Sequence, residues 1–137
     1  MAEKVRRVEY YYTHVPDTPG EAFKILSRLK ESKVNLMAFS AFPTQAGKTQ
    51  VDLVPEKADT FLTAAKSAGI TLSDRKQGFL IDGDDRVGAV ADVMKRLSDA
   101  KINVTAIDAV CTGGGRYGAI LWVKPTAYDA AAKALGI

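Results

Sequence analysis

The sequence predicts an α+β fold made of two βαββαβ units, and three observations support this. The second half of the 137-residue chain repeats the first, apolar residues recur at helical spacing in both halves, and Gly-containing turns separate short apolar runs. Right-handed crossovers in such a unit place both helices on one face of an antiparallel sheet. We expect residues 1–75 to form one unit and residues 76–137 the other, lying side by side.

The two halves of the chain align at a shift of 68 residues. Apolar residues stand at i, i+3, i+4 and i+7 in both halves, which predicts a helix with one buried face. They are Ala22, Ile25, Leu26 and Leu29 in the first half and Val90, Val93, Met94 and Leu97 in the second. The shift also aligns identical residues: Asp17 with Asp85, Gly20 with Gly88, Lys33 with Lys101, Asn35 with Asn103 and Gly47 with Gly115. The chain is therefore an internal duplication.

The other elements of the first half follow from apolar runs and their turns. A strand over residues 8–15 precedes the helix, and strands over 36–42 and 49–54 follow it as a hairpin. Pro55 ends the third strand and opens a second helix, after which residues 70–73 are a candidate fourth strand.

The second half repeats this order with strands over residues 79–81, 104–110 and 117–124, and Pro125 opens its second helix. The second helices align at a shift of 70, so we expect two extra residues in the second hairpin. Because Ile137 follows that helix directly, we expect the second unit to lack its last strand or to be completed by another segment.

Composition argues against several classes of function. The 19 Lys and Arg and 16 Asp and Glu residues are spread evenly, which does not favour a nucleic-acid surface. One Cys (Cys111) and one His (His14) are too few for a disulfide framework or a Cys/His metal site, and neither has an evident catalytic partner. No apolar run could span a membrane. We expect a soluble, cytoplasmic chain with no catalytic residue, metal or cofactor.

The loops before the first helices are candidate ligand sites. Without a Cβ, Gly20 and Gly88 would let a ligand approach the free N–H groups of the first helical turn, which suit a carboxylate. Asp17 or Asp85 could then hold the ammonium group of an amino acid.

Structural explanations of the same residues remain open. Thr18 and Glu21 have the spacing of a capping box, and Pro19 would suit the first helical position. Asp85 is a competent N-cap in the second copy. Asn35 and Asn103 could donate to a ligand carboxylate, or could merely cap the end of the preceding helix.

The two copies resemble the ACT domain. The resemblance rests on Pro-Asp-Thr-Pro-Gly at 16–20, an apolar helix ending Leu-Lys-Glu-Ser-Lys at 29–33 and Val-Asn-Leu at 34–36, with similar residues at 85–88 and 102–104. It implies ferredoxin-like regulatory modules of amino-acid metabolism, paired side by side. It also implies an effector amino acid bound between the strand-one/helix-one loop of one unit and strand two of its neighbour. The candidate contacts are Asp17, Thr18, Pro19, Gly20, Asn35, Asp85, Arg86, Val87, Gly88 and Asn103.

The two loops depart from one another. Arg86 and Val87 stand where the first copy has Thr18 and Pro19, so we expect one loop to bind better than the other. No catalytic domain is evident in the sequence. The resemblance therefore implies a free-standing sensor or a regulatory subunit that acts on a separate catalytic chain.

The second strand predicts an interaction with another chain. Leu36, Ala38 and Phe42 would lie on one side of it and Met37, Phe39 and Ala41 on the other, so both sides are apolar. A strand that is apolar on both sides is buried on both sides. We expect a homodimer to cover the open sheet face, although a terminal segment folded over it would serve as well.

An RNA-binding module is the alternative function, because it shares the βαββαβ order. Those modules stack bases on aromatic residues of the third strand. Residues 49–54 contain no aromatic residue, and 116–119 (Arg-Tyr-Gly-Ala) lack the Gly that should follow Arg. Amino-acid binding is the better prediction.

Overall fold

The computed structural model describes residues 3–137, which fold into two compact units. The N-terminal unit comprises Glu9–Lys76, and the C-terminal unit comprises residues 3–8 together with Gln77–Ile137. The first residues of the described chain thus group with its second half.

The elements of the first half are β1 (Lys4–Pro16), α1 (Glu21–Glu31), β2 (Leu36–Pro43), β3 (Lys48–Pro55) and α2 (Ala58–Ser67). Those of the second half are β4 (Lys76–Asp84), α3 (Ala89–Asp99), β5 (Ala106–Cys111), β6 (Arg116–Trp122), a 3₁₀ turn (Pro125–Ala127) and α4 (Tyr128–Ala134). The predicted α+β class is confirmed. The bounds of α1 and α3 differ by the same 68 residues that align the sequences.

In the N-terminal unit, β3 lies between β2 and β1 and is antiparallel to both. Leu53 on β3 lies opposite Tyr11 on β1 and Phe39 on β2. Tyr11 and Leu53 are buried in one cluster with Leu29 of α1 and Phe61 of α2. Both helices therefore pack on the same face of these strands.

In the C-terminal unit, β6 lies between β4 and β5 and is antiparallel to both. Phe79 and Leu121 from its strands pack with Leu97 of α3 and Ala131 of α4. Tyr128 of α4 stacks on Phe79 with ring centroids 4.5 Å apart. The core of this unit is therefore also built from one sheet face and two helices.

The start of β1 supplies the strand that the C-terminal unit was expected to lack. It lies beside β4, so the strand order of this unit is β1-β4-β6-β5. Val8 is buried, and Val5 packs against the core that contains Phe79 and Leu97. The chain thus completes its second unit with residues that precede the first.

The candidate fourth strand at residues 70–73 was wrong. This segment forms no strand, yet it is held beside β1 by Ser73, whose N–H donates to the Tyr12 carbonyl at 2.8 Å. The Tyr12 N–H donates to Ser73 Oγ at 3.0 Å, and the Thr13 hydroxyl donates to the Thr71 carbonyl at 2.6 Å. Hydrogen bonds of side-chain hydroxyls replace some of the backbone hydrogen bonds that a strand would form here. The pattern of apolar residues in the sequence does not reveal such side-chain bonds.

The two extra residues of the second half lie elsewhere than predicted. The hairpin links, residues 44–47 and 112–115, are equally long. The insertion follows β6, where the 3₁₀ turn Pro125–Ala127 leads into α4. In the first half only two residues separate β3 from α2, so Pro55 ends its strand but does not itself open the helix. Proline fixes φ at a value that suits a 3₁₀ turn, which explains why Pro125 begins one.

The two-sided apolar pattern of β2 needs one correction. A register shift between Leu36 and Ala38 turns Leu36 toward the helix-side core. Val54 and Trp122 are buried within the chain, so part of what was expected to be an open face is already covered. Phe39, on the helix side opposite Leu53, and Phe42, on the other face, remain 40% and 41% exposed. We therefore expect a second copy of the chain to cover β2 rather than the whole sheet face.

Two strand glycines give a matched test of packing in the C-terminal unit. A Cβ on Gly83 would lie 2.6 Å from Tyr117 Cε1 and 3.1 Å from Glu3 Cβ, whereas a Cβ on Gly118 would meet nothing within 4 Å. We expect Gly83→Ala to lower the free energy of unfolding by about 1–3 kcal/mol, because the ring must move. Gly118→Ala should change it by less than about 0.5 kcal/mol. Urea unfolding measures both, and equal effects would contradict this account of the packing.

Candidate ligand-binding loops

Each candidate loop joins the first strand of a copy to its first helix and is fixed to the neighbouring hairpin. The Asp17 N–H donates to the Gly47 carbonyl at 2.7 Å, and the Asp85 N–H donates to the Gly115 carbonyl at 3.0 Å. These bonds again differ by 68 residues. Both aspartates therefore hold equivalent backbone positions at the mouth of a hairpin.

Gly20 and Gly88 are the N-caps of α1 and α3, with φ of 90° and 80°. This left-handed conformation is easy for glycine and strained for other residues. A Cβ at either position would meet nothing within 4 Å. The backbone conformation therefore explains the glycines, which lie just before the first helical turn; their role in admitting a ligand stays a prediction.

The predicted side-chain caps do not form. Neither α1 nor α3 has a side-chain hydrogen bond at its N-cap. Thr18 lies two residues before the cap and its backbone carbonyl, not its hydroxyl, accepts from the Glu21 N–H at 3.4 Å. Pro19 precedes the helix, and Asp85 lies three residues before Gly88. A left-handed glycine cap moves each helix start beyond the reach of these side chains.

Two N–H groups in the first turn of each helix are left without a partner among the described residues. In α1 these are the N–H groups of Ala22 and Phe23, and in α3 those of Val90 and Ala91. The next N–H group, that of Asp92, donates to the Gly88 carbonyl at 3.0 Å. Such groups carry the positive end of the helix dipole. Both helix starts could therefore accept a carboxylate.

The side chains around the two loops differ. Arg86 donates to Asp92 Oδ2 at 2.5 Å, and this hydrogen bond raises the pKa of the Arg86 guanidinium. The Cys111 thiol donates to Asp85 Oδ2 at 2.9 Å. In the first copy the Thr49 hydroxyl donates to Asp17 Oδ1 at 3.1 Å instead. Only the second loop has a cation next to its aspartate in sequence.

Val87 is fully exposed beside these polar groups, and Thr18 and Pro19 are exposed in the first loop. None of the three side chains makes a hydrogen bond to the rest of its loop among the described residues. These residues shape the rim of the loops. Their role in binding stays a prediction.

Asn35 and Asn103 do not lie next to the glycines of their own copy. Gly20 begins α1 and Asn35 follows its far end, and an 11-residue helix is about 16 Å long. Neither asparagine caps a helix: in the first copy the Val34 N–H donates to the Leu29 carbonyl at 2.9 Å, beside a left-handed Lys33. Asn35 Nδ2 instead donates to Glu56 Oε2 at 3.4 Å. Within one copy, the loop and the strand-two asparagine therefore lie apart, and the contact that the resemblance implies stays a prediction.

Sequence reasoning missed two residues at the second loop. Cys111 at the end of β5 lies opposite Tyr117 on β6. Both line a cavity of about 290 Å³ together with Asp85, Arg86, Gly88 and the first turn of α3. A four-residue link between the two strands was the signal that could have placed Cys111 and Tyr117 side by side. The cavity thus joins the loop, the helix start and the hairpin of a single unit.

Residues 3–137 contain no cluster of three or more His, Cys, Asp or Glu side chains placed to hold a metal ion. Within the same residues, no helix combines the length and the apolar character needed to cross a membrane. His14 is exposed on β1, where its ring contacts that of Tyr12.

Comparison with known proteins supports the fold. No protein-family model matches the sequence, and no curated protein sequence matches it either. Among solved structures, protein BT0572 from Bacteroides thetaiotaomicron is similar at a TM-score of 0.82 and 14% identity, over 96% of this chain and 88% of that one. The ligand-free regulatory subunit of aspartate kinase from Thermus thermophilus is similar at 0.65 and 17%, over 97% and 93%.

A third similar structure is a putative C-terminal regulatory domain of aspartate kinase from Porphyromonas gingivalis, with a TM-score of 0.59 and 14% identity, over 98% of this chain and 94% of that one. The chain therefore has the fold of these regulatory domains over almost its full length.

Substitution of a left-handed glycine and of a left-handed lysine should change the free energy of unfolding in opposite directions. Gly88→Ala should lower the free energy of unfolding by about 1 kcal/mol although its Cβ meets nothing, because φ is 80°. Lys101→Gly should raise it by several tenths of a kcal/mol, since Lys101 has φ of 61°. Chemical denaturation measures both. A stabilising Gly88→Ala would refute the account of this cap.

Proposed function

We propose that the chain is a non-catalytic regulatory module that binds a small amino acid at the loops before α1 and α3. The observation that carries this proposal is the pair of helix starts, each entered through a left-handed glycine and each with two N–H groups that have no partner within residues 3–137. No side-chain cap closes either start, and of the four α-helices in the described chain only these two begin at a left-handed glycine. The same open arrangement in both copies favours a binding role.

An amino acid suits these loops at both of its charged ends. Its carboxylate would accept from the free N–H groups at the positive end of the helix dipole. Its ammonium would donate to Asp17 or Asp85, both of which lie in the exposed part of the loop. A few charge-assisted hydrogen bonds supply roughly 4–8 kcal/mol, which corresponds to micromolar to millimolar affinity.

The fold supports a regulatory rather than a catalytic role. Two of the similar structures are named as regulatory subunits or domains of aspartate kinase, and this chain spans 93–94% of their length. We propose that this chain likewise acts on a separate catalytic chain.

A second copy of the chain is the proposed partner for β2. Phe39 and Phe42 expose about 40% of their surfaces on this edge strand. In the homodimer, a ligand that binds one arrangement of the two copies more tightly would favour that arrangement, and occupancy could thereby reach a catalytic chain.

Thermal-shift measurements against the twenty amino acids test the proposed function. At 100 times its dissociation constant, a ligand that binds only the folded chain adds about 2.7 kcal/mol of stability and raises the melting temperature. The amine and the carboxylic acid that each lack one charged end of the best ligand are the controls, and both should give a smaller shift. The proposal fails if no amino acid raises the melting temperature.

A further inference from the structure

The segment that completes the C-terminal unit has few apolar contacts. Residues 3–8, which we call the strap, read Glu-Lys-Val-Arg-Arg-Val and group with this unit, whereas the rest of β1 groups with the N-terminal unit. Val8 is buried and Val5 is partly buried against the core, and the other four residues of the strap are charged. A segment with so little apolar burial can open locally without unfolding of the whole unit.

Charged side chains tie the strap to both helices of the C-terminal unit. Glu3 forms an ion pair with Arg96 in the last turn of α3. Arg7 donates to Asp129 Oδ1 of α4 at 3.0 Å, and its guanidinium lies 5.1 Å from the ring centroid of Tyr128. Both ion pairs remain partly exposed to water, so dissolved salt weakens them.

A buried hydroxyl without a hydrogen-bond partner lies close to the strap. A Cβ on Gly83 of β4 would lie 2.6 Å from Tyr117 Cε1, 3.2 Å from Tyr117 Cζ and 3.1 Å from Glu3 Cβ, so the far end of the ring and the strap meet at this glycine. Tyr117 is 6% exposed, and its Oη has no partner among the described residues. Burial, and after it the charge of Glu3, raises the pKa of Tyr117, so the hydroxyl stays neutral. A buried hydroxyl left unsatisfied in this way is unfavourable.

The other end of β1 is held more firmly. Residues 11–16 pair with β3 without a register shift. Tyr11 is buried in the core of the N-terminal unit, where its ring stacks on that of Phe61 with centroids 5.5 Å apart. Thr13 is also buried, and its hydroxyl donates to the Thr71 carbonyl at 2.6 Å. One continuous strand therefore has a firmly held part and a weakly held part.

We propose that the strap opens as one body while residues 11–16 stay paired with β3, so that the protein exchanges between a closed and an open form. In the closed form the strap pairs with β4 and ties α3 and α4 to it. In the open form β4 becomes an edge strand of the C-terminal unit, and the Tyr117 hydroxyl gains hydrogen bonds from water. The two ion pairs and Val8 favour the closed form, and hydration of Tyr117 favours the open one. This device does not depend on the amino-acid binding proposed above.

Amide hydrogen exchange of the wild-type chain, followed by NMR, tests the opening. The amides of residues 4–8 that bond to β4 should exchange about a hundredfold faster than those of residues 11–15 that bond to β3. Their opening constants, the ratios of open to closed form, should agree with one another within about twofold and should rise between about 0.1 M and about 1 M salt. A gradual slowing from residue 4 to residue 8 would show simple fraying and overturn opening as one body. Equal protection over residues 4–15 would overturn the strap itself.

Two matched substitutions in β1 and the residue before it test the ion pair to α3. Glu3→Gln keeps the length of the side chain and removes its charge, so it should raise the opening constant of the strap about threefold. Glu9→Gln removes the partner of Arg75, an ion pair made by the same strand outside the strap, and should change the opening constant by less than about 1.5-fold. Equal effects of the two variants would contradict a specific tie between the strap and α3.

Tyr117→Phe should act in the opposite direction. Phenylalanine fills the same space without the hydroxyl, so the closed form no longer leaves that polar group unsatisfied and the opening constant should fall about fivefold. The amides of residues 11–15 are the control for each variant, since their exchange should stay within about twofold of the wild type if the effect is local. If Tyr117→Phe leaves the opening constant of the strap unchanged or raises it, the hydroxyl does not favour the open form and the inference is overturned.

Discussion

The left-handed glycine that begins α1 and α3 is the constraint on which the rest of each loop depends. At φ of 90° and 80°, Gly20 and Gly88 turn the chain into a helix without using a side-chain cap. The aspartate three residues earlier is then free of the helix, and its backbone N–H bonds to the hairpin instead. The unpartnered N–H groups and the exposed aspartates both follow from this one backbone conformation.

Duplication kept that backbone and changed the side chains around it. The aspartate-to-hairpin bonds, the left-handed Lys33 and Lys101 and the bounds of α1 and α3 all recur at a shift of 68 residues. The residues that face the loops do not recur, since Cys111 and Tyr117 replace Pro43 and Thr49. The first loop therefore pairs its aspartate with Thr49, whereas the second pairs its aspartate with Cys111 and borders a cavity of about 290 Å³.

The helices, the hairpins and the duplication could be predicted from the sequence because apolar periodicity and turn residues are local signals. The capping box at Thr18 could not be rejected in the same way, because its residue types are right and only the φ of Gly20 decides against it. Completion of the C-terminal unit by the start of β1 is a long-range pairing that no local pattern encodes. For the same reason the bulge near Met37 and the contact of Cys111 with Asp85 required coordinates.

The candidate site was predictable in its backbone but not in its side chains. Gly88 and Asp85 were visible as repeated residues, whereas Tyr117 looked like an ordinary strand residue. Its place in the lining of the cavity depends on packing, which a sequence pattern does not encode. Asn35 and Asn103 show the opposite case, since they repeat as clearly as the glycines yet lie at the far ends of their helices.

The most direct test of amino-acid binding at the helix starts is an amide-resolved NMR titration of the ¹⁵N-labelled chain with the amino acid that gives the largest thermal shift. We predict that the largest chemical-shift changes occur at the first-turn N–H groups of Ala22 and Phe23 or of Val90 and Ala91. Saturable changes confined to other parts of the chain, or none at millimolar ligand, would contradict binding at these helix starts.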